Sequence, residues 1–324
     1  MPILLTGAAG FIGYHVAEAL LARGEAVVGI DNLNDYYDVR LKEARLARLR
    51  QRAGFVFHRC DLADRAAMAE LAAAQRPVTR IVHLAAQAGV RHSLVDPYAY
   101  VTANVAGHLA VLELARHLPR LDHLVYASSS SVYGANTDLP FAEGDRVDTP
   151  LSLYAATKRA DELMSHAYAH LFGLKQSGLR FFTVYGPWGR PDMAYFLFAE
   201  AILRGEPITV YDDGAVRRDF TYIDDVVAGV LGCLDRPPAD AVPRLLNIGN
   251  NRSEEVGALI AALETALGRR AVVRSAPRPR ADVMETFADI AAIAALTGFR
   301  PATPLGAGVP RFAAWFLDWR EGRA

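Results

Sequence analysis

The stretch TGAAGFIG, residues 6–13, decides the fold. It spaces Gly7, Gly10 and Gly13 as G-x-x-G-x-x-G, directly after the apolar run PILLT (2–6) and at the head of FIGYHVAEALLARG (11–24), which has helical period. In a strand–turn–helix setting, glycines let the backbone turn sharply and approach a pyrophosphate. The helix N-terminus adds free N–H donors and the positive end of its dipole. About twenty residues on, Asp31 ends the second apolar run, where a carboxylate can accept from the two hydroxyls of an adenosine ribose. The same charge repels a 2′-phosphate, so the expected dinucleotide is NAD rather than NADP. Phe11, Ile12 and Asn32, beside these residues, are expected at the same site. Asp61 and Leu62, after the third run, are placed to meet the adenine, although Asp61 could equally cap a helix. After the fourth run, Leu84-Ala85-Ala86 supplies small side chains beside the cofactor.

Outward from this turn, short apolar runs recur: AVVGI (26–30), FVFHR (55–59), RIVHL (80–84), HLVYA (123–127) and LRFF (179–182). Helical segments such as NVAGHLAVLELARH (104–117) lie between them. The alternation implies an α/β fold, a doubly wound parallel sheet of the Rossmann type with a smaller mixed α/β substrate lobe. Residues 1–183 form the expected cofactor domain, to which 219–250 return, and 184–324 form most of the lobe. The 324 residues exceed one usual core, and 35 Lys plus Arg against 36 Asp plus Glu leave no field for nucleic acid or an anionic membrane. No apolar run reaches membrane-spanning length, and MPILLTGAAGFIG has no basic leader, so the chain reads as soluble and cytoplasmic. Cys60 and Cys233 lack ligand spacing and are expected as buried free thiols, with no metal. The basic run RLKEARLARLRQR (40–52) has leucines at Leu41, Leu46 and Leu49, the pattern of an amphipathic helix with a solvated charged face.

Two further motifs carry chemistry. In SLYAATKRADELM, Tyr154 and Lys158 are four apart and share one helix face. An ammonium beside a phenol favours the phenolate and makes a base. ASSSSVYG (127–134) places four serines at the end of a strand.

TGAAGFIG, Asp31, HLAAQAG, SSSSVYG and YAATK, in this order and spacing, resemble the extended short-chain dehydrogenase/reductase family over nearly the whole chain. The resemblance implies that Ser129 shares a proton with Tyr154 and that Lys158 also reaches the cofactor. It further implies that Ser130 and Ser131 face the substrate. Relatives that eliminate water or decarboxylate carry Asp or Glu beside this position, and here Ser130 and Ser131 stand there instead. That favours epimerisation, in which hydride leaves, the ketone rotates and hydride returns to its other face. GRPDMA (189–194), DNLNDYYD (31–38) and RRDFTYIDD (217–225) are similar to the UDP-glucuronate 4-epimerases within that family. The similarity implies that Thr183 and Arg190 hold the sugar carboxylate, Arg218 binds the diphosphate, Tyr211 and Phe220 line the nucleotide pocket, and Asp282 meets the uridine ribose. Which of Arg278 and Arg280 touches UDP stays open, since PRPRA departs from the family's usual run here. A homodimer is implied through the helices near 98–117 and 152–172, whose apolar faces could instead be core. Ser131 disfavours a UDP-glucuronate decarboxylase, GRPDMA disfavours a neutral UDP-hexose epimerase, and a non-catalytic NAD-binding protein has no need of Ser129, Tyr154 and Lys158 together.

Overall fold

The structure, a computed structural model, describes residues 1–75, 77–279 and 282–323. The six apolar runs up to residue 181 become β1 (Ile3–Thr6), β2 (Val27–Asp31), β3 (Phe55–Arg59), β4 (Arg80–His83), β5 (His123–Ser129) and β6 (Gln176–Phe181). Beyond them come β7 (Thr183–Tyr185), β8 (Pro207–Tyr211), β9 (Arg217–Arg218), β10 (Phe220–Tyr222), β11 (Arg244–Ile248), β12 (Glu254–Glu255) and β13 (Val272–Ala276). The helices are α1 (Phe11–Ala22), α2 (Val39–Arg50), α3 (Arg65–Ala74), α4 (Pro97–Tyr100), α5 (Gly107–His117), α6 (Leu153–Phe172), α7 (Ala194–Arg204), α8 (Ile223–Leu234), α9 (Val256–Leu267), α10 (Ala291–Thr297) and α11 (Leu305–Arg320). A π-helical segment, Val101–Ala106, joins α4 to α5 in one unbroken helical run.

One seven-stranded sheet has the order β11-β6-β5-β4-β1-β2-β3, and every pairing in it is parallel. This is the doubly wound Rossmann arrangement. The chain moves outward from β1 to β3, then returns to β1's other side at β4, so the crossovers diverge and leave a crevice above the carboxyl ends of β1 and β4. Strand alternation supplies both faces: Ile3 and Leu5 join one apolar cluster, Leu4, Val28 and Ile30 the other.

Late segments return to the sheet, with α8 packing on α1 and β11 pairing with β6. The remaining strands form three small ladders, β7 with β10, β9 with β12 and β8 with β13. Ile208 and Val210 of β8 form a small cluster with Ile260, but the rest of the ladders' core is shared with the sheet. Phe220, Leu259, Phe312 and Phe316 belong to the same cluster as Ile3, Val16 and Leu20. Trp188 bridges the halves, its ring 5.6 Å from Tyr14 of α1 and 5.3 Å from Trp315 of α11.

Three local expectations need correcting. The charged side of α2 is not simply solvated, because Arg45 and Lys42 are buried along with Leu41, Leu46 and Leu49. Cys60 is only half-buried, unlike Cys233, although both thiols are free. Asp64, not Asp61, caps α3, accepting from Ala66 N and Ala67 N. Among the described residues no helix is long and apolar enough to cross a membrane.

Candidate active site

The glycine turn sits where the strand order reverses. Gly7 adopts φ 72°, and a Cβ on it would lie 2.7 Å from Ala85 N, so only glycine lets β1 end against the segment after β4. A Cβ at Gly13 would fall 2.0 Å from Gly7 O, so the first turn of α1 closes directly on the loop. Gly10 is the N-cap, no side chain caps the helix, and no acidic residue stands in its first turn. The leading N–H groups are thereby kept for an anionic ligand. Asp31 braces this turn from β2: Oδ2 accepts from Ala9 N at 3.0 Å and Oδ1 from Leu33 N at 2.9 Å. Asn32 donates to Asp61 Oδ2 at 2.9 Å, and Asp61 Oδ1 accepts from Ala63 N. A cradle that a single Cβ would fill, open helix N–H groups and a carboxylate at the end of β2 fit a dinucleotide.

A cavity of about 430 Å³ opens from this turn. Gly7, Gly10, Phe11, Ile12, Gly13, Asp31, Asn32, Asp61, Leu62, Leu84, Ala85 and Ala86 line it. So do Ser129, Ser130, Ser131, Tyr154, Lys158, Thr183, Arg190, Arg218 and Asp282. Tyr211 and Phe220 stand outside this wall. The Phe220 ring is buried in the core against Tyr185, the inward position of its short ladder, while Tyr211 ends β8 with the Arg91 guanidinium 4.9 Å over its ring. Arg278 reaches Asp212 and donates to the carbonyl of the wall residue Asp282 without lining the cavity itself; Arg280 lies outside the described residues.

Ser152 caps α6 by accepting from Ala155 N, which starts the helix where Tyr154 and Lys158 project. Lys158 is buried and donates to Asp161 Oδ2 at 2.8 Å. Burial works against its charge, but Asp161 and then Tyr154 outweigh burial and hold the ammonium above its ordinary range. The helix is fixed to β6 by a buried ion pair, Glu162 with Arg180 at 2.8 Å, and the Arg180 guanidinium lies over the Tyr133 ring. Ser128 donates to Glu162 Oε1 at 2.7 Å, so its hydroxyl is committed to the scaffold. Ser129 Oγ instead donates to Ser131 Oγ at 3.1 Å and accepts from Ser131 N at 3.2 Å. In the π segment, Asn104 accepts from Gln87 N and donates to Gln87 O and Thr157 Oγ1, which ties the loop after β4 to α6. Irregular helical hydrogen bonding often marks such functional positions.

At the far end of the cavity, Thr183 begins β7 opposite Phe220, and its N–H donates to Asp219 O. Arg190 Nε donates to Asp192 Oδ1 at 3.0 Å and Nη2 to Asp192 Oδ2, which leaves Nη1 without a partner among the described residues. Tyr36 Oη donates to the same Asp192 oxygen at 2.9 Å. Burial opposes both charges, yet each outweighs it for the other: Arg190 is held above its usual range and Asp192 below. Asp282 accepts from Arg218 and pairs with Arg91 at 3.6 Å. Four contributors escape sequence reasoning: Tyr36, Lys42, Arg91 and Asp192. Tyr36 lay within DNLNDYYD and Asp192 within GRPDMA, both quoted stretches, but only the fold shows that they meet.

The fold and site define a dinucleotide-dependent enzyme of Rossmann architecture, with a Ser–Tyr–Lys constellation between the cofactor turn and an arginine-bearing loop. The model of the NAD dependent epimerase/dehydratase family matches residues 3–249. A probable UDP-glucuronate 4-epimerase of Rhizobium meliloti is 46% identical over 98% of this chain and 97% of its own length. UDP-glucuronate 4-epimerase 3 of Arabidopsis thaliana is 46% identical over 99% of this chain and 77% of its own length. A crystal structure of UDP-glucuronic acid 4-epimerase from Bacillus cereus, with UDP-glucuronic acid and NAD, superposes with TM-score 0.92 at 33% identity, covering 98% of this chain and all of that one. The chain belongs to the NAD-dependent epimerase/dehydratase family, and NAD is its cofactor.

Proposed function

We propose that this protein interconverts UDP-glucuronate and UDP-galacturonate by inverting C4 through a 4-keto sugar. The observation that carries the reading is one continuous cavity bordered by the glycine turn, by Ser129, Tyr154 and Lys158, and by Thr183 and Arg190. When bound, NAD supplies the acceptor and donor of the C4 hydride. Tyr154, as phenolate, takes the proton of the C4 hydroxyl and later returns it. Ser129 orients that hydroxyl, and Lys158 favours the phenolate through its charge. Ser130 and Ser131 position the sugar, Arg218 meets the diphosphate, and Asp282, with Tyr211 nearby, meets the uridine. Thr183 and the free arm of Arg190 hold the sugar carboxylate. That hold has a chemical purpose, because a β-keto acid loses CO2 when its C5–C6 bond overlaps the carbonyl π system. Keeping the carboxylate near the carbonyl plane suppresses the loss.

The cofactor half is residues 1–183 with 219–250, and the UDP-sugar lobe is mainly 184–324. A second copy of the chain is proposed to cover Tyr98, Val101 and Leu109 on one helical run and Leu163, Leu171 and Phe172 on α6, large apolar side chains that are all exposed in the monomer. Two free thiols suit the cytoplasm.

The test is incubation with UDP-glucuronate, UDP-glucose and UDP-xylose separately, without added NAD, with the products resolved by NMR. UDP-galacturonate from the first alone is the expected outcome. Arg190→Ala is expected to lower turnover and to raise the share of decarboxylated UDP-4-keto-pentose, with reduced cofactor accumulating by absorbance. A UDP-pentose as the main product of the unmodified enzyme would overturn the reading in favour of a decarboxylase.

A further inference from the structure

The cofactor turn and the Arg190 loop meet at one side chain that neither motif contains. Arg45 lies in α2 and is fully buried. Its Nη1 donates to Ala9 O in the glycine turn at 2.9 Å and to Tyr37 Oη at 2.8 Å. Its Nε donates to Trp188 O at 3.1 Å, and Nη2 donates to Trp188 O at 2.6 Å and Gly189 O at 3.0 Å. None of these partners is a carboxylate. A buried guanidinium without an anion is costly to keep, so its retention calls for a purpose beyond filling space.

The loop it holds has little freedom of its own. Trp188 takes φ 57°, a left-handed conformation that is strained for a bulky residue, and its two contacts with Arg45 fix where its carbonyl points. At Gly189 a Cβ would lie 1.9 Å from Tyr195 Oη. Arg190 is the next residue, so the orientation of its backbone is set by the two carbonyls that Arg45 grips. A lysine cannot reproduce this, because a compact ammonium cannot span a fork of carbonyls belonging to separate segments.

We infer that Arg45 is a positioning residue that sets Arg190 for a sugar carboxylate and couples that grip to the cofactor turn. The inference rests on the reading that Arg190 meets the carboxylate. A purely structural arginine would support the fold without distinguishing one ligand from another. A positioning arginine would affect the charged sugar and spare the nucleotide.

Arg45→Lys is compared with the parent, with Arg190→Ala and with the double variant, all in saturating NAD. Melting temperature identifies folded preparations, and calorimetric titration gives affinities for UDP and for UDP-glucuronate. The expected result for Arg45→Lys is UDP affinity unchanged and UDP-glucuronate bound about tenfold more weakly, the size of one charge-assisted hydrogen bond. In the Arg190→Ala background the same substitution is expected to add little further loss. Parental affinity for UDP-glucuronate, equal losses for both ligands, or a full additive loss in the double variant each overturns the inference. If Arg45→Lys does not fold, Tyr37→Phe, which removes one of the five bonds, carries the test. A selective loss of roughly twofold or more is expected there, and none overturns the inference. If Arg190→Ala itself shows no preference between the ligands, the carboxylate reading fails and takes this inference with it. A selective loss in Arg190→Ala with none in Arg45→Lys removes the inference alone.

Discussion

Removing one oxygen from Tyr154 is the sharpest residue-level perturbation. Tyr154→Phe is expected to fold and keep its NAD while losing about 10² to 10⁴ in kcat, the usual contribution of a general base. Turnover of UDP-glucuronate, together with the dinucleotide released on denaturation, checks it; near-parental turnover would remove Tyr154 from the reaction. The residues proposed to do chemistry are legible because their spacing is local: glycines three apart around a turn, and Tyr154 with Lys158 one helical turn apart. Their partners are not. Ser128 is committed to Glu162, 34 positions away, and Arg45 to carbonyls 143 and 144 positions away, separations that no periodicity reports. Arg45 therefore reads as one more charge on a solvated face until the fold brings the Trp188 carbonyl to it.

At the scale of elements, α6, which carries Tyr154 and Lys158, shows how a helix is seated on the sheet. Its buried ion pair with the sheet is Glu162–Arg180, each side chain about 1% exposed. Glu162→Gln leaves Arg180 charged and under-compensated, and is expected to destabilise the fold by about 3–5 kcal/mol. Urea denaturation of NAD-loaded protein measures this; a loss below 1 kcal/mol would show that Arg180 finds another anion. The same region explains why one strand began earlier than its apolar run suggests. Gln176 and Ser177 are buried in β6, where Gln176 Nε2 donates to Ser165 O and Ser177 Oγ bonds with His123 Nε2, so the strand opens before the hydrophobic LRFF. The long strands were visible as apolar runs. The two-residue strands β9 and β12 were not, being too short for any alternation to show.

For the whole molecule, acidity acts through buried groups of opposing sign. Burial holds the His15, His83, His108 and His123 imidazoles below their usual range, His83 at about 3 and His15 and His123 at about 4. Such groups contribute stability that is complete above the unfolded value near 6.5 and is lost as pH falls toward the folded one, at about 1.4 kcal/mol per unit for each net proton. Burial pushes Asp161 and Asp219 up to about 6. They act in reverse, adding stability as pH falls through 6 toward the unfolded value near 3.8. Four imidazoles against two carboxyls leave two net protons, a loss of about 2.7 kcal/mol per unit between pH 6 and 4.5. Denaturation midpoints across that range, at fixed NAD, check the sign. A midpoint that rises on acidification would mean that the imidazoles are charged in the folded protein.

The shared core has a consequence for how the chain is made. Ile3 and Leu20 lie in the same apolar cluster as Phe312 and Phe316, and Trp188 packs against Tyr14 on one side and Trp315 on the other. The cofactor half is therefore not a module that can be cut free. A nascent chain that has emerged only as far as β6 has its glycine turn and most of its sheet, but the face to be covered by α8 and the cluster to be completed by α11 are still bare. The edge strand β11 is also missing. Synthesis must run through α11 before the glycine turn is fully seated, so a stop within α11 is expected to impair cofactor retention even though no residue of that helix borders the cavity.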